Sequence, residues 1–430
     1  MSTFKHLINH VQQYGSKHRI LYLMVMIIMF WAVFDGIVTY VAPLIITERG
    51  ISRTVMGLII GFSSVAGAVF DLIMCWLFKH ARHRRILLIM FAVCLIYPLL
   101  LWQAQTVSIF LLTMVLWGVY YDLHNIANLE FVGRHIEKGE HSSSFGLIQV
   151  FQAFGYFLAP ILAGLVIGTV VGWKPFALAW AFLLISIIFF AVFSIFARKE
   201  REVDLAIAER LHPRNFLLEL SLWHRIGLVI APVLALTCLL NIIDSFFWTV
   251  GPLLAESFSK YHQFAGFFMA AFTFPPLIVG WGVGSLTARY GKKRTAFLAF
   301  LLGSLCLIPI AFFQDPIVLI LIVFLASFFI SFAWPSINGV YADYISESAN
   351  LRREIETIED FSLNLGYIIG PITAGILADA VGNAGAFSAL GIVGVIAALI
   401  LLKITPRQIR ISRAEEMTSR FAVVNEIEGR

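Results

Sequence analysis

The sequence predicts an all-α integral membrane protein of twelve transmembrane helices, arranged as two pseudo-symmetric six-helix bundles with both termini in the cytoplasm. Three observations predict this fold class: an apolar composition, long apolar runs and an internal repeat. Hydrophobic residues make up 60% of the 430 residues, charged residues make up 13%, and the mean hydropathy is +0.87. Soluble domains are about half apolar and a quarter charged, so the chain is expected in a lipid bilayer.

The apolar runs are each long enough to cross the bilayer as a helix, which takes about 20 residues. Helices are required because backbone polar groups cannot stay unpaired in lipid, and the alternating pattern of barrel strands is absent from the sequence. The first run is too long for the core of a signal peptide and is taken as the first span. We place the spans at 20–46, 54–78, 86–103, 107–133, 144–170, 174–197, 226–254, 263–288, 295–313, 316–342, 358–378 and 384–403.

The basic residues predict the orientation of these spans. With both termini inside, 27 of the 31 Lys and Arg residues lie on the cytoplasmic side, as the positive-inside rule requires. This distribution accounts for the net charge of +5 without a nucleic-acid partner. The expected parts are an N-terminal cytoplasmic segment, an N-terminal bundle, a central cytoplasmic loop, a C-terminal bundle and a cytoplasmic tail: 1–19, 20–197, 198–225, 226–403 and 404–430.

The two predicted bundles repeat one sequence plan. A shift of 209 residues places Asp35 on Asp244, and a shift of 210 places Asn128 on Asn338. A shift of 211 places GYFLAPILAG on GYIIGPITAG, which begin at residues 155 and 366. The small drift in the shift is what loop insertions would produce. Parallel repeats of this kind build a central site between two halves in many secondary carriers.

Three stretches of the sequence resemble signatures of the major facilitator superfamily. GSLTARYGKKR (284–294) is similar to its cytoplasmic-loop signature, and the two glycine-proline stretches resemble its fifth-span signature, which is associated with antiporters. The resemblance implies a small-molecule carrier, and it implies that the loop residues Arg289, Gly291 and Lys292 take part in gating. The acid of the loop signature is Ala288 here, so the latch that the resemblance implies is expected either to be weaker or to use another acid, such as Asp71 or Asp343. The alternative is that the loop charges only set the topology.

The glycine-proline stretches are expected to form close helix contacts. Pro160 and Pro371 remove a backbone donor and, with Gly155 and Gly366, allow a bend and tight packing. The resemblance implies that these helices seal the outer side of the carrier, although packing alone would explain the same residues. Asp71 ends a stripe of small residues in the second span and is interpreted as a gate contact more than a substrate ligand.

Asp35 and Asp244 are the strongest candidates for a functional site. An aspartate at the middle of a spanning helix costs about 2.5 to 3.5 kcal/mol, so it persists where it meets a cavity, a partner or an ion path. Burial favours the neutral form of a carboxylate, and one or both acids are therefore expected to bind a proton or a cationic group. The alternative is an aspartate that only joins helices by hydrogen bonds.

The fourth span carries the densest polar face. Trp117, Tyr121, His124 and Asn128 follow one helical stripe, with Asp122 and Asn125 on the adjoining stripe. His124 beside Asp122 is interpreted either as a proton relay or as a satisfied core histidine. Other candidates lie at helical spacing from the two acids: Trp31, Asn241 and Trp248. Trp334 and Asn338 are the repeat partners of His124 and Asn128, and Gln152 lies near the fifth-span motif.

These residues favour a secondary transporter, proton-coupled and exporting lipophilic cationic or neutral compounds. The aromatic rings near the acids suit a lipophilic cation, and the absence of Lys and Arg from the interior of every predicted span disfavours multiply anionic substrates. A metabolite or lipid carrier and a non-transporting sensor remain alternatives. No nucleophile-base pair, phosphate loop, metal site or cofactor motif is present, which disfavours an enzyme. We expect a monomer in the inner membrane of a bacterium, with H⁺ as the coupling ion.

Overall fold

The computed structural model describes residues 19–77, 83–136, 140–168, 170–196, 216–258, 265–279, 282–347 and 351–405. Every regular element in these ranges is a helix. Ten of the described helices are long and apolar enough to cross a membrane, and the number becomes eleven if one bent pair counts as a single span. The expectation of an all-helical integral membrane protein is therefore confirmed.

The helices follow the predicted apolar runs closely. In chain order they are α1 Arg19–Glu48, α2 Arg53–Leu77, α3 His83–Gln103, α4 Val107–His135, α5 His141–Val166, α6 Lys174–Phe196, α7 Phe216–Glu256, α8 Ala265–Thr273, α9 Pro275–Val279, α10 Val283–Tyr290, α11 Lys292–Leu307, the 3-10 helix η1 Ile308–Phe312, α12 Pro316–Glu347 and α13 Arg352–Ile404.

Two differences between the helix bounds and the predicted spans have a clear local cause. Helix α7 begins at Phe216, inside the predicted central loop, because residues 216–225 contain no glycine or proline that would end a helix. The predicted eighth span, 263–288, is divided into α8, α9 and α10. Its first break lies at Phe274, directly before two prolines, where the α conformation is disfavoured.

Helix α13 holds two of the predicted spans. Its 53 residues would extend for about 80 Å, more than twice the roughly 30 Å of a bilayer core. Gly382 interrupts it with φ 78° and ψ 168°, a left-handed backbone conformation that glycine adopts without a Cβ clash. The break falls between the predicted spans 358–378 and 384–403.

Packing groups the described residues into two compact units. The first lies within Met1–Ile51, Phe62–Ile207 and Phe258–Leu277, and the second within Ser52–Gly61, Ala208–Ser257 and Ile278–Arg430. Two short segments, 52–61 and 258–277, therefore belong to the unit other than the one that chain order would give them. The predicted division into bundles at 198–225 stays a prediction.

Close glycine contacts with the fifth-span motifs accompany this grouping. In the first unit, a Cβ atom on Gly164 would lie 2.8 Å from the backbone nitrogen of Gly266 in α8. In the second unit, a Cβ atom on Gly61 of α2 would lie 2.9 Å from the carbonyl oxygen of Ile368. Such distances leave no room for a side chain. The segments containing Gly266 and Gly61 thus pack backbone to backbone against α5 and α13, respectively.

Candidate functional site

Asp35 lies in a closed polar pocket of the first unit. Its side chain is 2% exposed. Tyr120 of α4 donates its hydroxyl to Asp35 Oδ1 at 2.5 Å, and Tyr156 of α5 donates to Oδ2 at 2.7 Å. The indole of Trp117 is also within hydrogen-bonding reach of the carboxylate. Hydrogen bonds from two neighbouring helices therefore reach both oxygens of one buried carboxylate.

Asp244 has a simpler environment in the second unit. Tyr367 of α13 donates its hydroxyl to Asp244 Oδ2 at 2.7 Å. Part of the Asp244 surface is accessible, in contrast to the burial of Asp35. The acid therefore keeps one carboxylate oxygen for which no hydrogen bond to the described residues is recorded.

The Asp–Tyr pair is the feature that the two units share. Tyr156 and Tyr367 each follow the first glycine of a fifth-span motif, and each bonds to the aspartate of its own unit. The glycines make this possible, because side chains at these positions would hold the helices apart. A Cβ atom on Gly155 would lie 2.6 Å from the carbonyl oxygen of Met29 in α1.

The same close packing is present in the second unit. A Cβ atom on Gly366 would lie 2.6 Å from the Cβ atom of Asn241 in α7. Asn241 itself is buried and donates its side-chain amide to the carbonyl oxygen of Thr237 at 2.8 Å. Gly155 and Gly366 are thus contact residues that let a tyrosine reach an acid, and Asn241 lies at the contact and bonds along its own helix.

His124 is held between an indole ring and two asparagines. Its ring stacks on Trp31 with centroids 3.7 Å apart and an interplanar angle of 10°. Nδ1 lies 3.3 Å from Asn125 Oδ1 and Nε2 lies 3.1 Å from Asn128 Nδ2. This pattern assigns a neutral ring that donates from Nδ1 and accepts at Nε2.

Asp122 points to another neighbour. Its Oδ2 lies 2.6 Å from the position that a Cβ atom on Gly67 of α2 would occupy. The His124 ring bonds to the side-chain amides of Asn125 and Asn128, and not to Asp122, the relay partner that the sequence suggested. A role for Asp122 stays a prediction.

The remaining polar candidates are placed at accessible positions in their own units. In the first unit, Tyr121 and Asn125 are exposed and Gln152 is partly exposed. In the second unit, Asn338 is exposed, and Trp248 and Trp334 are partly exposed. Aromatic and amide groups can contact a solute there.

The loop signature forms an ion pair in the second unit. Lys292 Nζ lies 2.6 Å from Asp343 Oδ1 and donates to the carbonyl oxygen of Gly339 at 3.2 Å. Gly291 has φ 85° and joins α10 to α11, while Arg289 is exposed at the end of α10. The motif itself has Ala288 at the position of its usual acid, and Asp343 is the acid that pairs with the loop. The side chain of Asp71 lies outside the described residues, and its gate role stays a prediction.

Pro160 and Pro371 lie in close helix contacts, and their role in gating stays a prediction. Both are buried, and the carbonyl oxygen of Pro371 would clash with a side chain at Gly57. The corresponding carbonyl of Pro160 would clash with one at Gly266. The two prolines therefore take repeat-equivalent positions, each within one unit.

Two contacts were missed by the sequence reasoning. Tyr120 is indistinguishable in sequence from other aromatic residues of an apolar helix, although its position relative to Asp35 decides the pocket. Asp379 accepts hydrogen bonds from the backbone of Arg53 and from both the backbone and the hydroxyl of Thr54, at 3.2, 2.8 and 2.7 Å. It therefore caps the start of α2. No local signal connects residues so distant in the chain.

The membrane-spanning helices, the internal repeat and the paired acids define a polytopic transporter of the secondary carrier type. The sequence matches the profile of the Major Facilitator Superfamily over residues 22–347 and 233–425. The chain belongs to this superfamily. It is accordingly an integral membrane transporter with a small-molecule substrate, and not an enzyme.

Solved structures with the same fold include those of the nucleoside transporter NupG. A single-residue mutant of NupG is 14% identical, with a TM-score of 0.67, covering 89% of this chain and 97% of that one. NupG itself is 15% identical, with a TM-score of 0.65, covering 90% and 98%. At this identity the likeness shows the fold alone. A search among curated proteins finds no significant match.

Proposed function

We propose that the protein is a proton-coupled secondary transporter that exports lipophilic cationic or neutral organic compounds by alternating access. The observation that carries this proposal is the Asp–Tyr pair at equivalent positions of the two units. Each acid lies within a membrane-spanning helix and bonds to a tyrosine of a second helix, and an acid persists in a span only if it has a partner or a role. The pair provides a protonatable group, and the nearby rings and amides provide contacts for a solute.

The charge pattern supports the proposed substrate class. Acids lie within the predicted spans, whereas basic residues lie at their ends. A multiply anionic solute would require arginine or lysine in the spans. Partly exposed rings such as Trp248 and Trp334 suit a flat apolar molecule and, if it is charged, attract a cation.

The proposed topology has twelve spans and cytoplasmic termini in a bacterial inner membrane. Division of α13 at Gly382 gives two helices of spanning length and supports the count. The bias of basic residues supports the orientation. We propose that the monomer is the working unit.

A nucleoside or another neutral polar metabolite is the second candidate substrate. The resemblance in fold to a nucleoside transporter and the accessible amides of Asn125, Gln152 and Asn338 favour it. Amides can donate to and accept from the polar edge of such a solute, while aromatic rings stack on its face.

Transport from loaded proteoliposomes tests both candidates. Vesicles containing ethidium, chloramphenicol, uridine or citrate are diluted into acidic medium, so that inward proton flow can drive efflux. We expect acid-driven efflux of ethidium or chloramphenicol that a protonophore abolishes, and none of citrate, which is multiply anionic. Efflux of uridine alone would favour the second candidate. Efflux that is insensitive to the proton gradient would refute proton coupling.

A further inference from the structure

We propose that the two acids have different tasks: Asp244 with Tyr367 exchanges the coupling proton, whereas Asp35 is a fixed carboxylate that positions the surrounding helices. This inference rests on the proposed proton-coupled function and specifies which site carries it. The repeat alone would assign both acids the same role. The contacts of the two carboxylates distinguish them.

Asp35 already has a donor on each oxygen. Its two oxygens accept phenolic hydrogen bonds from Tyr120 and Tyr156, and the Trp117 indole lies within reach of the carboxylate. A carboxylate so bonded is solvated by the protein in place of water. These donors stabilise the ionised form, and a proton would have to bind an oxygen that already accepts a hydrogen bond.

Access to Asp35 is closed as well. The carboxylate is 2% exposed, and the buried rings of Tyr120 and Trp31 lie on the same side of α1. Tyr97 and Cys94 of α3, both fully buried, also lie in its titratable surroundings. The described residues therefore leave almost none of Asp35 accessible to water. The group serves as a hydrogen-bond centre that joins α1, α4 and α5.

Asp244 has the opposite properties. One oxygen accepts the hydroxyl of Tyr367, which is the titratable side chain recorded against it among the described residues. Part of its surface is accessible, and exposure of an acid in the middle of a span is tolerable only where water reaches it. Tyr341 of α12 bonds at 2.9 Å to Thr237, which lies about two helical turns before Asp244 on α7. Asp244 therefore combines partial exposure with a carboxylate oxygen that accepts no hydrogen bond from the described residues.

The sequence supports the same division. Under the 210-residue shift, Tyr120 corresponds to Ile330 and Trp117 to Ser327. Both units thus have the tyrosine of the fifth-span motif, but only the first has the Tyr120 phenol and the Trp117 indole on its fourth span. Asp244 lacks the groups that seal Asp35.

The proton exchange needs no other reactant. Hydronium transfers a proton to the free Oδ1 of Asp244, which leaves water and a neutral carboxylic acid, and the reverse step releases the proton on the other side of the membrane. The Tyr367 hydroxyl keeps its bond to Oδ2 in both forms. That bond holds the acid at one place while its charge changes.

Infrared difference spectroscopy tests the assignment without a substrate. The full chain in liposomes is cycled between acidic and alkaline pH, and the carbonyl band of protonated carboxyl groups is recorded for wild type, Asp244→Asn and Asp35→Asn. We expect Asp244→Asn to remove a component of this band and Asp35→Asn to retain it. Loss of the component in Asp35→Asn, or its retention in Asp244→Asn, would overturn the proposal.

A second set of variants keeps the test valid if Asp35→Asn does not fold. Tyr367→Phe removes the donor to Asp244, so the same component should move to higher wavenumber, as a carbonyl does when it loses a hydrogen bond. Tyr156→Phe, the matched control in the first unit, should leave it in place. A shift in Tyr156→Phe but not in Tyr367→Phe would contradict the assignment.

Transport separates this inference from the function on which it rests. If wild-type protein shows no proton-driven efflux of ethidium or chloramphenicol, the proposed function fails, whatever the spectra show. If wild-type efflux is proton-driven and Asp244→Asn retains it in full, the inference fails while the function stands. We expect Asp244→Asn to lose the response to the proton gradient.

Discussion

At the scale of single residues, hydrogen bonding decides what a buried acid can do. Asp35 and Asp244 are equivalent in the repeat, yet both oxygens of Asp35 accept a tyrosine hydroxyl and only one oxygen of Asp244 does. Duplication preserved the aspartate and its tyrosine, whereas the partners from the fourth span diverged. A position can therefore be symmetric in sequence while its chemistry is not.

The tyrosines of the Asp35 pocket should stabilise the fold. Tyr156→Phe keeps the ring but removes a hydrogen bond to a buried carboxylate, which contributes about 1.5 to 3 kcal/mol. We expect the free energy of unfolding in detergent to fall by that amount, measured by denaturant titration, with a similar loss for Tyr120→Phe. Tyr290→Phe, at a residue that is 49% exposed, is the control and should have little effect. Equal losses in all three variants would mean that the pocket does not stabilise the fold.

At the scale of helices, glycine positions determine which elements meet. The fifth-span motifs hold α5 against α1 and α13 against α7 through Gly155 and Gly366. Further along, Gly164 and Gly375 bring the backbones of α8 and α2 into contact with α5 and α13. Each fifth-span motif therefore makes two contacts: its first glycine packs against the helix that carries the acid, and its last glycine packs against the crossing helix.

A branched side chain at Gly164 should disrupt the crossing of α5 and α8. A Cβ atom there would lie 2.8 Å from the Gly266 nitrogen, whereas a Cβ atom on Gly146 of the same helix would meet nothing within 4 Å. We expect Gly164→Val to destabilise the protein by about 1 to 3 kcal/mol through overpacking and to reduce efflux, while Gly146→Val leaves both unchanged. Thermal unfolding and the efflux assay measure the two effects. A wild-type result for Gly164→Val would exclude a tight crossing.

The sequence predicted the elements better than their contacts. Apolar runs and the repeat located the helices, the paired acids and the motif tyrosines, because each leaves a local pattern. The bond from Tyr120 to Asp35 and the cap of Asp379 on α2 depend on residues 85 and 325 or more positions apart. One sequence carries no signal for such pairs. For the same reason, it did not show that the His124 ring bonds to Asn125 and Asn128 instead of Asp122.

At the scale of the whole molecule, the number of spans fixes where the termini lie. Ten or eleven candidate spans are recognised among the described residues, with α13 taken as one, and the break at Gly382 would add another. An even number of spans places both termini on one side of the membrane, and an odd number separates them. The position of the termini is thus a direct test of the twelve-span topology.

Cysteine labelling in intact cells performs this test. Arg19→Cys and Thr405→Cys mark the two ends of the described chain, and Trp173→Cys marks the segment between α5 and α6, where the residue is 60% exposed. A membrane-impermeant maleimide should label position 173 from outside and should reach positions 19 and 405 only after permeabilisation, since basic residues hold both ends inside. Wild-type protein controls for the native cysteines, which lie within spans. Labelling of one end alone from outside would show an odd number of spans, and labelling of both would reverse the proposed orientation.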